Sequence, residues 1–249
     1  MKVKDIKRLK AKDLLTDVDN FKEILYQDGL VIVSDLNNKI SLDMAKHLGE
    51  IFFHTDSDKE GIVHLSVITE DKKGENIRGF TSKELFPHTD RAVERFPPDI
   101  IMLWCNYPAE EGGESILVDG KDVCSYLLHN HREIFTKLLE KNSAIFCSEG
   151  RYHHGEIIES VSQERYAIRF RNDDLGFFSG DILDAIRVFK QTVGQFSQKI
   201  KLNAGEGYIA MNTRWLHGRT TINGPRSFGR IHINLPTEYG TLHRGFTLE

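Results

Sequence analysis

From "IVHLSVITE" onward the apolar residues recur with a period of two in short, separated segments. That pattern describes strands with one face buried, and it constrains the fold more than any other feature of the chain. Strands are predicted over 62–69, 100–106, 115–118, 144–147, 166–171, 208–212 and 229–235, with helical inserts over 121–128, 133–141 and 181–200. Upstream, "DVDNFKEILYQDG" reads as a helix stopped by Gly29, "LVIVS" as a short strand, and "SLDMAKHLGEIF" as a second helix with Leu42, Ala45 and Leu48 on one face. Strands and helices do not alternate regularly, which argues against a parallel doubly wound sheet. The expected fold is mainly β with helical inserts, a distorted double-stranded β-helix (jelly-roll) core flanked by helices. It is expected as a single domain over 1–249, with N-terminal helices in 1–60 packing on a core at 61–240. The polar stretches 71–85 and 150–164 are predicted as loops over the barrel mouth, where function usually collects.

Composition removes several function classes. The net charge of −4 and pI of about 6.3 leave no basic footprint for nucleic acid. The N-terminus "MKVKDIKRLKAKDLL" lacks the continuous apolar stretch of a signal peptide, and no run has the length of a membrane span. Cys105, Cys124 and Cys147 are odd in number and contain no C-x-x-C pair, which fits reduced thiols in the cytoplasm. The expected partner is a small molecule rather than nucleic acid or membrane.

The chemistry starts at "FPHTDRAVERFPPDIIMLWCN". In an extended chain His88 and Asp90 face the same side, with Thr89 turned away. An imidazole and a carboxylate are costly to bury without a partner. Together they form an incomplete ligand set for a divalent metal. His217, in "NTRWLHGRTTINGPRSFGRIHINLP", is the candidate third ligand, and Gly218 beside it allows close backbone approach. Two imidazoles and one carboxylate on one side of a metal leave the opposite positions open, as in the facial triad of non-haem Fe(II) oxygenases. Zinc hydrolysis at the same ligands is a chemical competitor, although H-E-x-x-H is absent. A non-catalytic jelly-roll binding protein is a third reading.

Read as a strand, "RSFGRIHIN" puts Arg226, Phe228, Arg230, His232 and Asn234 on one face. Guanidinium groups suit bidentate capture of a carboxylate. In "AEEGGESILVDG", Ser115 stands at a strand entry after a Gly-Gly turn and offers a hydroxyl to the same anion. Arg78, Ser82 and Glu84 lie just upstream of His88 and are candidate substrate contacts. Trp104 and Trp215 read as core, His153-His154 as a surface or lid pair, Arg219 as a brace for the ligand-bearing segment, and Asp173-Asp174 as a turn. His232 reads equally as a neighbour of a bound anion and as a satisfied barrel histidine.

With "HTD", "GGES" and "LHGR…PRSFGR" in this order, the chain resembles the taurine dioxygenase-like and clavaminate synthase-like superfamily of Fe(II)/2-oxoglutarate-dependent oxygenases. The resemblance implies a jelly-roll holding Fe(II) at His88, Asp90 and His217. It implies 2-oxoglutarate as cosubstrate beside O2, with Arg226 pairing its distal carboxylate and Ser115 standing where relatives often carry Thr. Arg230 matches a position that in some members reaches the substrate's acidic group and the cosubstrate. The interval from His217 to Arg226 is short for the family, so Arg226 and Arg230 compete for the cosubstrate role. The implied reaction is hydroxylation of an unactivated C–H bond in a small polar metabolite, such as a free amino acid or derivative, with release of succinate and CO2. Asp90 occupies the position that halogenating relatives leave open with Gly or Ala, so halogenation is disfavoured.

Overall fold

The computed structural model describes residues 6–66, 77–236 and 243–248. The chain enters through β1 (Arg8–Lys10), α1 (Ala11–Thr16), α2 (Val18–Asp28), β2 (Leu30–Ser34), α3 (Asn38–Leu48), β3 (Glu50–Ile51) and β4 (Val63–Ser66). β5 (Leu85–His88), β6 (Ile100–Tyr107), β7 (Glu111–Gly112), β8 (Ser115–Asp119), α4 (Gly120–Asn130) and α5 (Arg132–Leu138) follow. Five strands come next: β9 (Ala144–Ser148), β10 (Arg151–Gly155), β11 (Ile158–Ser160), β12 (Arg165–Ile168) and β13 (Gly176–Phe178). The last stretch holds α6 (Leu183–Phe196), β14 (Gln198–Ile200), β15 (Gly207–Met211), β16 (Trp215–Arg219), β17 (Ile222–Asn223), β18 (Ser227–Asn234) and β19 (Phe246–Thr247).

Two sheets carry the architecture. The larger runs β1-β2-β15-β6-β18-β3, with β4 also on β18, and the smaller runs β14-β8-β16-β5. Alternation along the large-sheet strands divides their side chains between two cores, as a pleated ribbon requires. Val31, Val33, Met102, Trp104, Ile209 and Ile231 face out and pack on Leu14, Phe21, Leu25, Met44 and Leu48 of α1–α3. Leu30, Ile32, Leu103, Tyr208, Ala210 and Phe228 face in and share a cluster with Leu117, Trp215 and Ile200 of the small sheet. On the far side of the small sheet, Val118 and Leu216 pack with residues of α4–α6. The layers are therefore helices, sheet, sheet, helices.

Local chemistry sets the boundaries. Gly29 ends α2 in the left-handed conformation, φ 72°, and a Cβ there would sit 2.8 Å from Arg214 Cδ and Trp215 Nε1. Asp17 and Asn37 cap α2 and α3 through their side-chain oxygens. Trp104 and Trp215 are fully buried, as expected of core residues. Each indole N–H is satisfied, by Asn38 and Asn106 for Trp104 and by the Asp28 carbonyl for Trp215. Arg214 grips Asp119 with two bonds of 3.0 and 2.8 Å, tying the start of β16 to the end of β8.

Several predicted elements need correction. The stretch 150–164 is not a loop, because it holds β10 and β11. β10 is a largely exposed strand that pairs only with β9, so its polar sequence follows from being wet. Glu149 and Gly150, with φ of 55° and 71°, form the tight hairpin turn between them. The predicted helix 181–200 ends at Phe196, and Gln198–Ile200 joins the small sheet as β14 beside β8. The predicted strand 166–171 is shorter, Arg165–Ile168. β5 and β16 are strands that alternation does not reveal. The first carries Pro87 on a sheet edge, where proline is tolerated. The second is buried at all five positions, yet three of them are His217, Gly218 and Arg219, so no apolar run marks it. Of the predicted strand 62–69, Val63–Ser66 is β4, while 67–69 lie outside the described residues, as do 71–76 of the predicted loop.

Candidate metal centre and flanking chambers

His88 and His217 meet because β5 and β16 pair antiparallel with these two residues opposite each other. Their ring centroids are 4.5 Å apart. Gly218 permits this approach: a Cβ there would lie 2.3 Å from the Leu85 carbonyl oxygen. The expected close passage at Gly218 is thus strand against strand.

Asp90 is held from its own backbone. Its N–H donates to Asn212 Oδ1 at 2.8 Å, and Asn212 Nδ2 donates to the Asp90 and Pro98 carbonyls at 3.0 and 2.9 Å. Thr89 points away, where its hydroxyl oxygen accepts from the Phe170 N–H at 3.0 Å. The two Asp90 carboxylate oxygens then have different surroundings. Oδ2 accepts from Arg230 Nη1 at 2.9 Å and from His232 Nε2 at 2.8 Å. Oδ1 faces His88 Nε2 at 3.3 Å and His217 Nε2 at 3.5 Å. One ligand atom from each of His88, Asp90 and His217 can be chosen so that all lie within 4.8 Å of one another.

The electrostatics favour a cation at that point. His88 Nδ1 lies 2.9 Å from the Phe86 carbonyl and donates to it, which leaves the Nε2 lone pair facing inward. Burial, reinforced by Arg171 and His217, pushes the His88 pKa down to about 4, so its imidazole is neutral. Both ring nitrogens of His217 are buried without a hydrogen-bond partner. Burial alone would raise the Asp90 pKa, but Arg230, His217 and His232 together hold it well below the usual carboxylate range. A carboxylate oxygen and two imidazole nitrogens converge here, and the nitrogen that His217 brings is an otherwise orphaned buried atom. That donor set fits a divalent metal with positions left open.

Two chambers flank this centre, sharing Gly79, Leu85, His88 and Arg230 in their walls. The first is lined by Ser115, Leu103, Tyr208, His217, Arg219 and Arg226. Arg226 is buried, its guanidinium lies 4.2 Å from the Phe228 ring centroid, and its one hydrogen bond among the described residues is a 3.5 Å contact to the Gly113 carbonyl. No carboxylate among the described residues pairs with it. Burial lowers its pKa, the expected signature of an uncompensated cation. The Gly112-Gly113 turn, φ 66° and 67°, brings the chain to this chamber, and a Cβ at Gly113 would lie 3.6 Å from Arg226 Nη1. Arg219 braces the approach to β5 by donating to the Thr81 carbonyl, and burial beside Arg226 lowers its pKa to about 10.

The second chamber is lined by His54, Asp56, Phe80, Arg91, Phe146 and Arg171, among others. Its wall behind Asp90 is pinned by Arg169, which donates to the carbonyls of Ala92 and Glu94 at 2.8 and 2.6 Å and to Glu159 at 2.6 Å.

The expected site residues therefore divide. His88, Asp90 and His217 come together, Ser115 and Arg226 face the first chamber, and Arg230 stands between the chambers on Asp90. Ser82 and Glu84 are exposed and line neither chamber, and the side chain of Arg78 lies outside the described residues. His232 is a buried barrel histidine whose Nε2 donates to the carboxylate of Asp90. Asp173 accepts from the Leu175 N–H at 3.2 Å, as a turn residue does, and also pairs with Arg171. His153 is half-buried and His154 exposed on β10, consistent with a surface pair. Asn212, Tyr208, His54 and Asp56 were not legible as site residues. One signal existed: "HTD" occurs twice, at 54–56 and 88–90, and both copies line the second chamber.

A model of the taurine catabolism dioxygenase TauD, TfdA family matches residues 5–233. The chain belongs to the TauD/TfdA dioxygenase family. The family assignment agrees with the resemblance carried by its three motifs. Human gamma-butyrobetaine dioxygenase is 26% identical over 167 residues, covering 60% of this chain and 43% of that protein, and the Pongo abelii enzyme matches equally. The chain thus spans under half the length of these curated relatives. Among solved structures, an asparagine oxygenase in complex with Fe(II), 2S,3S-3-hydroxyasparagine and succinate superposes with a TM-score of 0.74 at 14% identity, over 90% of this chain and 79% of that one. The non-haem iron oxygenase OrfP with Fe and alpha-ketoglutaric acid gives 0.69 at 14% identity, over 94% and 84%. These similarities establish a shared fold. No helix among the described residues is long and apolar enough to cross a membrane.

Proposed function

We propose that this TauD/TfdA family member is an Fe(II)/2-oxoglutarate-dependent hydroxylase acting on an unactivated C–H bond of a small polar metabolite, a free amino acid or a derivative, with release of succinate and CO2. The observation that carries the reading is the juxtaposition of three converging ligands with a buried, carboxylate-free guanidinium in a chamber that two of them, His88 and His217, line. His88 Nε2, Asp90 Oδ1 and a ring nitrogen of His217 would hold Fe(II). Iron bound there supplies the redox chemistry that couples cosubstrate decarboxylation to C–H hydroxylation.

The chain's own residues do the rest. Arg226 takes the distal carboxylate of 2-oxoglutarate, and the Ser115 hydroxyl donates to the same group. The structure supports Arg226 over Arg230 for this role, because Arg230 is already committed to Asp90. Arg230 and His232 keep Asp90 Oδ2 occupied, so a single oxygen is presented to the metal. Apolar walls at Leu65 and Leu103 limit water beside the cosubstrate. Asp90 occupies the position that a halide would need, which favours hydroxylation. The amino-acid class is supported by relatives whose names and complexes concern asparagine, arginine and a betaine. We read the two facing sheets as a distorted double-stranded β-helix and the chain as one oxygenase domain. Three free cysteines support a cytoplasmic setting.

The test incubates purified protein with Fe(II), ascorbate and 2-oxoglutarate against pools of candidate metabolites and measures succinate. Substrate-stimulated succinate is expected. Zinc retention without 2-oxoglutarate binding would overturn the reading in favour of hydrolysis.

A further inference from the structure

The second chamber holds three guanidiniums and one carboxylate beyond the metal ligands, and their pairings are unequal. Arg230 pairs with Asp90 at 2.9 Å. Arg91 pairs with Glu94 at 2.9 Å and stands 3.5 Å from Glu149. Arg171 pairs with Asp173. Each cation therefore has a protein carboxylate. Asp56 has no cationic partner of its own among the described residues: its one charged-type neighbour within ion-pair distance is His54, with Nδ1 3.6 Å from Asp56 Oδ2.

That histidine does not satisfy it. His54 Nδ1 lies 3.3 Å from the Asp56 backbone N–H and accepts from it, which puts the ring proton on Nε2. The unprotonated Nδ1 therefore offers the carboxylate no proton, although it lies 3.6 Å from Oδ2. Burial and the nearby His232 and Arg230 press the His54 pKa down to about 3, so no imidazolium forms. His54 Nε2 is itself buried without a partner. The loop is built rather than slack: Ser57 N–H donates to the His54 carbonyl at 2.9 Å, His54 N–H to Ser57 Oγ at 3.2 Å, and Thr55 Oγ1 to Glu149 Oε1 at 2.9 Å. Asp56 keeps 28% of its side chain exposed and feels Arg230 and Arg91 at longer range, yet burial is the larger influence and raises its pKa, so this carboxylate on an ordered loop lacks the close cation that would stabilise its charge.

Resting on the oxygenase reading, we propose that Asp56 anchors a cationic nitrogen of the substrate, an ammonium or guanidinium group, and so restricts the second chamber to cationic small molecules.

The experiment compares wild-type protein with Asp56→Asn and Asp56→Glu, each loaded with Fe(II) and 2-oxoglutarate. The probes are pairs differing in one cation: L-arginine with L-citrulline, L-lysine with L-norleucine, and L-asparagine with its Nα-acetyl form. Succinate formation is expected to be stimulated by the member that carries the distinguishing cation in at least one pair and not by the counterpart that lacks it. Asp56→Asn should raise the KM for that compound at least tenfold while leaving the KM for 2-oxoglutarate unchanged, and Asp56→Glu should restore part of the loss. Equal stimulation by both members of every pair, stimulation by none, or an unchanged KM in Asp56→Asn would overturn the proposal. Binding of 2-oxoglutarate to the Fe(II) protein, followed by its visible absorption, is measured first. Its absence would overturn the oxygenase reading itself, whereas intact binding with no cation preference sinks the role of Asp56 alone.

Discussion

The two chambers beside His88 have opposite electrostatic deficits. In one, Arg226 is a buried cation with no carboxylate among the described residues. In the other, every guanidinium is paired and Asp56 is the group left wanting a counter-charge. A folded chain seldom leaves a buried or partly buried charge uncompensated unless a ligand completes it. One centre thus divides an anion-seeking pocket from a cation-seeking one. The difference teaches that ligand class can be read from what the protein fails to pair, more than from counting charges. By count of arginines the two chambers are alike, three lining each with Arg230 shared, so it is their pairing that separates them.

The largest expected effect removes the wall between the two. His217→Ala deletes a nitrogen donor on which no protein hydrogen bond depends, so the fold should persist while metal retention collapses. Fe(II) titration of the purified variant should show binding lost by at least a hundredfold, with both chambers idle as a consequence. Retained stoichiometric iron would break the comparison at its root. Next in size, Arg226→Ala should weaken 2-oxoglutarate binding well over tenfold, since losing one partner of a desolvated charge pair costs about 2–5 kcal/mol. Iron binding should be unchanged. An unaltered 2-oxoglutarate affinity, measured by equilibrium titration, would shift the cosubstrate role to Arg230.

His232→Phe should act at a smaller scale. It deletes the 2.8 Å donor to Asp90 Oδ2 and leaves that oxygen to Arg230 alone. Loss of such an outer partner typically costs about 10–100-fold in metal affinity. A Co(II) titration should show the loss together with altered visible bands, because one donor instead of two then holds the Asp90 carboxylate. A spectrum and affinity matching wild type would remove His232 from the centre.

How much of this was legible in the sequence depends on whether local pattern or tertiary pairing fixes a residue's role. β6, β15 and β18 fall close to their predicted spans because one face meets helices and the other the interior, which makes β6 and β15 strongly apolar runs and leaves β18 an alternating one. The triad was legible because i and i+2 fix His88 against Asp90 locally, and because His217 stands among chemistry-bearing neighbours. β5 and β16, which bring those ligands together, were not legible, since one contains proline and the other buries His217, Gly218 and Arg219, which break its apolar run. Arg230 shows the limit most plainly. Its face on β18 was read correctly, but its pairing with Asp90 depends on a contact across 140 positions that no periodicity encodes. Asp56 was missed for the converse reason, as its significance lies in a missing partner. The second "HTD" was visible, yet a loop tripeptide carries no sign of the chamber it enters.

The smallest expected effect sharpens the comparison by acting on one chamber only. Arg169 pins the wall that carries Arg91 and Ala92, and Glu159 holds Arg169 in place at 2.6 Å. Burial opposes ionisation of Glu159, but Arg169 and Arg244 together hold its pKa below the ordinary glutamate range. A carboxyl whose folded pKa is depressed contributes stability that is present above the unfolded pKa and lost as pH falls through the folded one. Acidification from neutrality should therefore begin to cost stability at the ordinary glutamate pKa, with the loss complete only below the depressed one. In Glu159→Gln this part of the acid dependence, read from thermal unfolding across pH, should flatten. The same variant should speed amide hydrogen exchange in 91–95 while leaving 113–118 beside Arg226 unchanged. Faster exchange at both places would mean that the chambers share one support, and the division between them would then be chemical but not mechanical.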